Sequence, residues 1–494
     1  MATDKVPNKS TSKTARTDTV YQQGHDIPEP FALHSWRDYV KFLFGPGVIA
    51  LGLGLGTGEL ISAPFLVVQM GPRLLWIALI SILLQTLTSI IASKYTILTG
   101  EPVQLGINRL WIGKKTWTVI WIIMGSFTRL WPYYMALTGS TLAALFIGSV
   151  PGSDQRLLWS LMSVLGIAIC MAPIFVGKKV MDTLAKLFFW LTTAVVIPLL
   201  IILTVLFVPG DVFREILKGF VSFGSIPANA DWTTLAAVAG YAGLSAGAGM
   251  ALSSYYRDHG FGMAQRVGYI GSLTAHQTTK LEVTGFMPPE TPTNVSRLRT
   301  WWKYVNLELW PLFFAGSIIT MAFPCALYYY FVPSGAATAA DFGFTALLAQ
   351  YMRTAFPAAW IILLLAFLGV FYVDGVASVD GGPRDFSNNI WNAFPGVSKR
   401  FKGDVRPLYY IILGIFVVVW LIMIAVGTQP HVMALMSGAF GTLQGVVFPI
   451  GMLGINYTLL PKSFRLKAWE VVVMAFAAVF YAFFFFNFVV TRFF

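Results

Sequence analysis

The sequence predicts an all-α polytopic membrane protein with eleven apolar helices, two of them broken, arranged as five plus five plus one. Three observations carry this. First, 56% of the 494 residues are hydrophobic and only 11% are charged, and several uninterrupted apolar runs reach the ~20 residues that a helix needs to cross a bilayer. Second, the basic residues alternate between the connecting loops. Third, the first and sixth apolar segments are both punctuated by glycine.

The eleven segments lie near 42–70, 74–98, 117–148, 157–176, 182–208, 233–257, 305–332, 356–380, 407–427, 431–459 and 468–491. Residues 1–33 hold no apolar stretch and read as a flexible cytoplasmic tail, leaving 34–494 as the transmembrane domain. One set of loops carries Arg109, Lys114 and Lys115, then Lys178 and Lys179, then Arg266, Lys280, Arg297, Arg299 and Lys303. It continues with Lys399, Arg400, Lys402 and Arg406, then Lys462, Arg465 and Lys467. The other set is poor in Lys and Arg. This asymmetry places the basic loops and the N-terminus in the cytoplasm and the C-terminus outside, in an inner or plasma membrane.

The net charge of +12 is explained in the same way, as cytoplasmic anchoring, and calls for no nucleic-acid partner. The two cysteines, Cys170 and Cys325, fall inside apolar segments and suggest no disulfide framework. No nucleophile–base pair, metal-ligand cluster or phosphate loop points to an enzyme or to a bound cofactor.

In the first segment the run Gly52-Leu53-Gly54-Leu55-Gly56-Thr57-Gly58-Glu59 is apolar enough for a bilayer but too glycine-rich for a regular helix. The sixth contains Ala239-Gly240-Tyr241-Ala242-Gly243-Leu244-Ser245-Ala246-Gly247-Ala248-Gly249. Two interrupted segments five apart point to an inverted repeat, about 42–208 and 233–459, with 468–491 outside it and a binding site between the breaks. The plainer alternative is that the glycines only let helices approach closely.

Ionisable residues within apolar segments are costly and therefore informative. Glu59 could bind a cation, carry a proton or pair with Arg129. Arg129 cannot readily lose its proton and must find an anion, most simply as a counter-ion holding the third segment to a neighbour. Asp374 is a candidate second carboxylate. Asp380 reads as an interfacial residue, either solvated or paired with Arg384.

On these residues the chain resembles the NRAMP family of divalent-metal transporters, which have the LeuT-type fold. Gly45-Pro46-Gly47 opens the first segment as it does there, Thr128, Leu130, Ala136 and Gly139 keep the family's spacing in the third, and Phe448-Pro449 resembles its proline step in the tenth. The functional motifs depart. The family's Asp-Pro-Gly-Asn falls on Gly56-Thr57-Gly58-Glu59, and its Met-Pro-His falls on Gly247-Ala248-Gly249. Its span-three acids fall on Arg129 and Pro132, which implies a lost proton pathway, and its metal-site glutamine lies within about a turn of Gln444.

Loss of the thioether removes the preference for soft transition metals. What the resemblance then implies is an oxygen-only site built from Glu59, Gln444, Thr57, Ser245 and freed backbone carbonyls, widened by Gly56, Gly247 and Gly249. Mg²⁺ keeps most of its waters and is usually held by one or two carboxylates, so it suits such a site, with Mn²⁺ as a second cargo. The pattern is similar to the divergent branch of NRAMP-related magnesium transporters. The expected function is alternating-access transport of Mg²⁺ without proton coupling. The alternatives are a coupled transporter of a small organic cation or zwitterion, and a passive channel. Oligomeric state is not expressed in the sequence.

Overall fold

In the computed structural model the described residues are 21–33, 35, 37–38, 55–176, 186, 189–267 and 285–494. Among them the chain is helical throughout, apart from one isolated β-bridge between Gln22 and Phe286. Among the described residues eight helices are long and apolar enough to cross a membrane. They correspond to segments two, three, four and seven to eleven. Of the first and fifth segments the described parts include the apolar helices Leu55–Met70 and Ala194–Phe207, and the sixth is two short helices in tandem. This is an integral membrane protein of LeuT-type architecture.

The packing repeats as a five-plus-five arrangement requires. Segment two packs on the second half of segment six, and seven packs on one. Segment three packs on four, and eight packs on nine. The short helix Val103–Ile107, between two and three, has its counterpart in Phe344–Met352, between seven and eight. Segment eleven, Ala468–Phe493, stands outside this pattern and packs on segments two, six and ten.

The sixth segment is broken as its glycines predict. Trp232–Tyr241 ends, residues 242–247 are non-helical, and Ala248–Asp258 resumes. Gly243 has φ +84°, a left-handed backbone conformation that glycine adopts without strain. In the first segment, Gly45–Gly54 lies outside the described residues. The following stretch, Leu55–Ser62, is a π-helix whose wider turn gives way to α-helix at Ala63. Such π-turns inside helices concentrate at functional sites.

Three expectations need correction. The third segment is interrupted too: one helix ends at Arg129 and the next begins at Tyr133. Pro132 has no N–H to bond back to residue 128, and its ring excludes the preceding turn from helix. The eighth segment runs from Ala359 to Ala393 rather than ending near 380, so Asp374 and Asp380 sit well inside it. Of the expected tail 1–33, residues 1–20 lie outside the described residues, and 21–33 are held against the protein. They form a strap in which Tyr21 and Ile27 are buried. Gln22 bonds the Gly285 carbonyl at 2.9 Å, and the Ile27 amide donates to Asn294 Oδ1 at 3.0 Å. The indole of Trp301 donates to the Pro28 carbonyl at 2.9 Å.

Candidate functional site

The site is organised by what meets the π-helix of the first segment. Glu59 and Asp374 are both fully buried, and none of their four carboxylate oxygens has a hydrogen-bond partner among the described residues. They lie within electrostatic reach of each other, and the Gly243 backbone also acts on Glu59. Among the described residues neither carboxylate has a cation paired with it, a condition that proteins meet by pairing, by binding a cation or by holding a proton on the carboxyl.

Gly56 explains how Asp374 fits. A Cβ on Gly56 would collide with the Asp374 carboxylate and with the Tyr134 ring. The space beside Gly56 is therefore not the void expected from the sequence. It is filled by a carboxylate delivered from segment eight. Gly58 fits against the Tyr241 carbonyl in the same way, so it brings segments one and six into backbone contact. Here close packing and site construction are the same act.

Thr57 does not present a free hydroxyl, because it donates to Tyr134 Oη at 2.7 Å. Tyr133 and Tyr241 share a hydrogen bond at 3.3 Å, Tyr241 bonds Ser437 at 2.6 Å, and the Ser437 hydroxyl donates to the Thr128 carbonyl at 2.6 Å. Gln444 completes this polar row by donating to Thr128 Oγ1 at 3.1 Å. Its amide oxygen would lie 2.8 Å from a Cβ on Gly247, so Gln444 and Gly247 are brought together as expected. Gly249 is not part of this group, since it abuts the Phe448 ring and Ala92. Ser245 is half-buried at the break, and its amide is taken up by Gln85.

Gln85 is the residue that sequence reasoning missed. Its amide nitrogen donates to the Ala242 carbonyl at 2.5 Å, and its oxygen accepts the Leu244 and Ser245 amides at 3.0 Å each. One side chain of segment two thus supplies the bonds that the broken helix of segment six cannot make for itself. Ser81, one turn earlier, accepts from Gln85 and donates to the Ala239 carbonyl at 2.5 Å. Segment eleven reaches the same cluster through Tyr481, whose hydroxyl lies 3.1 Å from Ser81 Oγ. The sequence signal was a Ser and a Gln four residues apart in the apolar first half of that helix.

Arg129 stands apart from the carboxylates. It pairs with Asp385 at 2.8 Å, both side chains about two-fifths exposed. It therefore holds segment three to segment eight, as the counter-ion reading expects, and does not pair with Glu59. Asp380 is buried and takes the paired alternative, accepting two bonds from Arg384 at 2.9 Å and one from Tyr409 at 2.9 Å. Among the described residues no group of three or more His, Cys, Asp or Glu side chains is arranged to hold a metal. Any ion held here would need water or backbone oxygens beside Glu59 and Asp374.

No protein-family model matches the chain, and no curated protein matches its sequence. Its architecture is shared with solved structures. A mutant of the manganese transporter from Eremococcus coleocola superposes with a TM-score of 0.61 at 13% identity, covering 96% of this chain and 91% of that one. The same transporter in complex with an aromatic bis-isothiourea substituted compound gives 0.57 at 14% identity, covering 96% and 90%. MhsT in complex with L-phenylalanine gives 0.52 at 13% identity, covering 93% and 100%. At these identities the likeness establishes the LeuT-type fold.

Proposed function

We propose that this protein is an NRAMP-related, eleven-span transporter of Mg²⁺, with Mn²⁺ as a competing cargo, working by alternating access. Residues 34–494 would form the transport domain, with the N-terminus cytoplasmic and the C-terminus outside. The observation that carries the reading is the pair of buried carboxylates, Glu59 and Asp374, with no side-chain partner among the described residues. A hard divalent cation with retained waters offsets two such charges without soft ligands, and oxygen-only coordination is what Mg²⁺ and Mn²⁺ accept. The fold shared with a manganese transporter supports the same class of cargo. Glu59 and Asp374 would hold the ion's inner or outer shell, while Gln444 beside the Gly247 break would lie on its route. Rocking of one bundle against the other would expose the site to each side in turn.

Transport would run on the metal gradient and membrane potential without obligatory proton coupling. Where the family resemblance places proton-handling acids, this chain has Arg129, held by Asp385, and Pro132. A second reading, a small organic cation or zwitterion, gains one observation: Tyr133, Tyr134 and Tyr241 cluster beside the carboxylates, and aromatic faces attract quaternary or primary ammonium groups. The space beside Gly56, filled by the Asp374 carboxylate, offers such a solute no room.

Calorimetric titration of the purified protein with Mg²⁺, Mn²⁺ and ethylammonium separates the two. The account expects saturable Mg²⁺ binding that is lost in both Glu59→Gln and Asp374→Asn. Ethylammonium binding with no Mg²⁺ binding would replace it with the second reading.

A further inference from the structure

The end of the molecule that carries the basic loops has a groove unrelated to the carboxylate site. It is an open depression of about 410 Å³ lined by Lys115, Phe394, Pro395, Gly396, Val397 and Arg400. The groove lies where segment three begins, at Gly113, and where segment eight gives way to the short helix Pro395–Arg400.

Lys115, Val119, Ile123 and Phe127 follow one another at four-residue steps, so they form one stripe along the helix. Its three apolar members are 47%, 52% and 46% exposed. In a membrane-spanning helix such a face meets hydrocarbon. The stripe therefore runs from an ammonium group at the water boundary into the acyl region. Across the groove, Lys399 and Arg400 occupy the last turn of the short helix, with Lys402 just beyond. Trp111, 85% exposed, lies in the turn just before this helix, and its amphipathic ring suits the headgroup level.

The local acids do not neutralise these cations. Asp404 is engaged by Arg406 at 2.8 Å and Asp385 by Arg129 at 2.8 Å, while Lys115 and Arg400 have no ion pair among the described residues. We propose that this groove binds an anionic glycerophospholipid. The phosphate sits between Lys115 and Arg400, the glycerol lies against Phe394–Val397, and one acyl chain follows Val119, Ile123 and Phe127. The cations recognise charge, the apolar walls exclude a merely soluble anion, and the stripe gives the chain a track. Segments three and eight already meet here through Thr118 and the Asn389 carbonyl at 3.4 Å, so the lipid would tie their ends together.

The test is native mass spectrometry of the full-length protein released from vesicles of equal parts phosphatidylglycerol and phosphatidylcholine. Wild type should retain phosphatidylglycerol in preference to phosphatidylcholine. Each cation near an anionic lipid surface contributes about fivefold to such binding, so Lys115→Gln and Arg400→Gln should each lower the preference about fivefold. The charge-reversed pair Lys115→Glu and Arg400→Glu should abolish it. A second pair in another basic loop, Lys462→Glu and Arg465→Glu, should leave it intact. Equal melting in pure phosphatidylcholine establishes that the substituted proteins fold. Retention unchanged in the groove variants, or lost as much in the control pair, overturns the proposal. Displacement by inorganic phosphate as effective as by phosphatidylglycerol would also overturn it, by showing a soluble-anion site.

Discussion

Replacing Gln85 by Leu tests how the break in segment six is held. Leucine matches the size of the side chain but removes its donor and its acceptor. The Ala242 carbonyl, bonded at 2.5 Å, and the Leu244 and Ser245 amides, each at 3.0 Å, would lose their partner together. A buried backbone group left unpaired costs about 1–3 kcal/mol. Ala242 is fully buried and bears the full penalty, whereas Leu244 and Ser245 are half-buried and regain part of theirs from water. The sum is about 2–4 kcal/mol. Gln85→Glu keeps an acceptor for the two amides but sets a carboxylate oxygen against the Ala242 carbonyl, and while charged should cost at least as much. Equilibrium unfolding in mixed micelles gives the free energies, and amide hydrogen exchange across 242–247 gives the location. A Gln85→Leu protein within about 1 kcal/mol of wild type, with unchanged exchange at the break, would refute the clamp.

Gly56→Ala forces a Cβ against Asp374 and Tyr134. Overpacking of this kind typically costs about 1–3 kcal/mol, and the penalty should shrink when Asp374 is also replaced by Ala, so a double-mutant cycle reads the contact directly. Additive effects would place Asp374 elsewhere. In the strap, burial followed by the nearby Glu101 charge pushes the Tyr21 phenol up to about 12 from its ordinary 10. A phenol raised on folding stabilises fully below pH 10 and loses that contribution as pH rises through 12. The strap should therefore detach across that window at a cost of about 2–3 kcal/mol, and Tyr21→Phe should remove this step from a pH series of limited proteolysis. Arg129→Gln should leave Mg²⁺ binding within about twofold, because its partner is Asp385 and not the carboxylate pair; a tenfold loss in calorimetry would contradict the assignment.

The fold was legible because hydrocarbon imposes length and apolarity on every segment, and because two glycine runs five segments apart have few other uses. The break in segment three was written in Pro132, but its flanks are apolar enough for the run from 117 to 148 to read as continuous. The length of segment eight was hidden for the opposite reason. Asp374, Asp380, Arg384 and Asp385 dilute its hydropathy, although Arg384 neutralises Asp380 within the helix and Arg129 answers Asp385 from segment three.

At the site, Glu59, Asp374 and Gln444 could be picked out by type, because a charge or amide inside an apolar run must have a reason. Their grouping could not be picked out. That Asp374 fills the space beside Gly56 depends on how two segments more than three hundred residues apart face each other, which no local pattern encodes. Gln85 was missed because its role is to serve backbone groups, and these carry no sequence signature. The strap was missed because its order comes from Asn294, Arg297 and Trp301 in another segment, not from its own composition.

The most direct test of the central claim is Mg²⁺ uptake into proteoliposomes by wild type, Glu59→Gln and Asp374→Asn, with internal pH recorded alongside. The account predicts saturable uptake by wild type, competition by Mn²⁺, a loss of at least tenfold in each variant, and no proton flux in proportion to metal. Undiminished uptake in folded Glu59→Gln and Asp374→Asn proteins would contradict it.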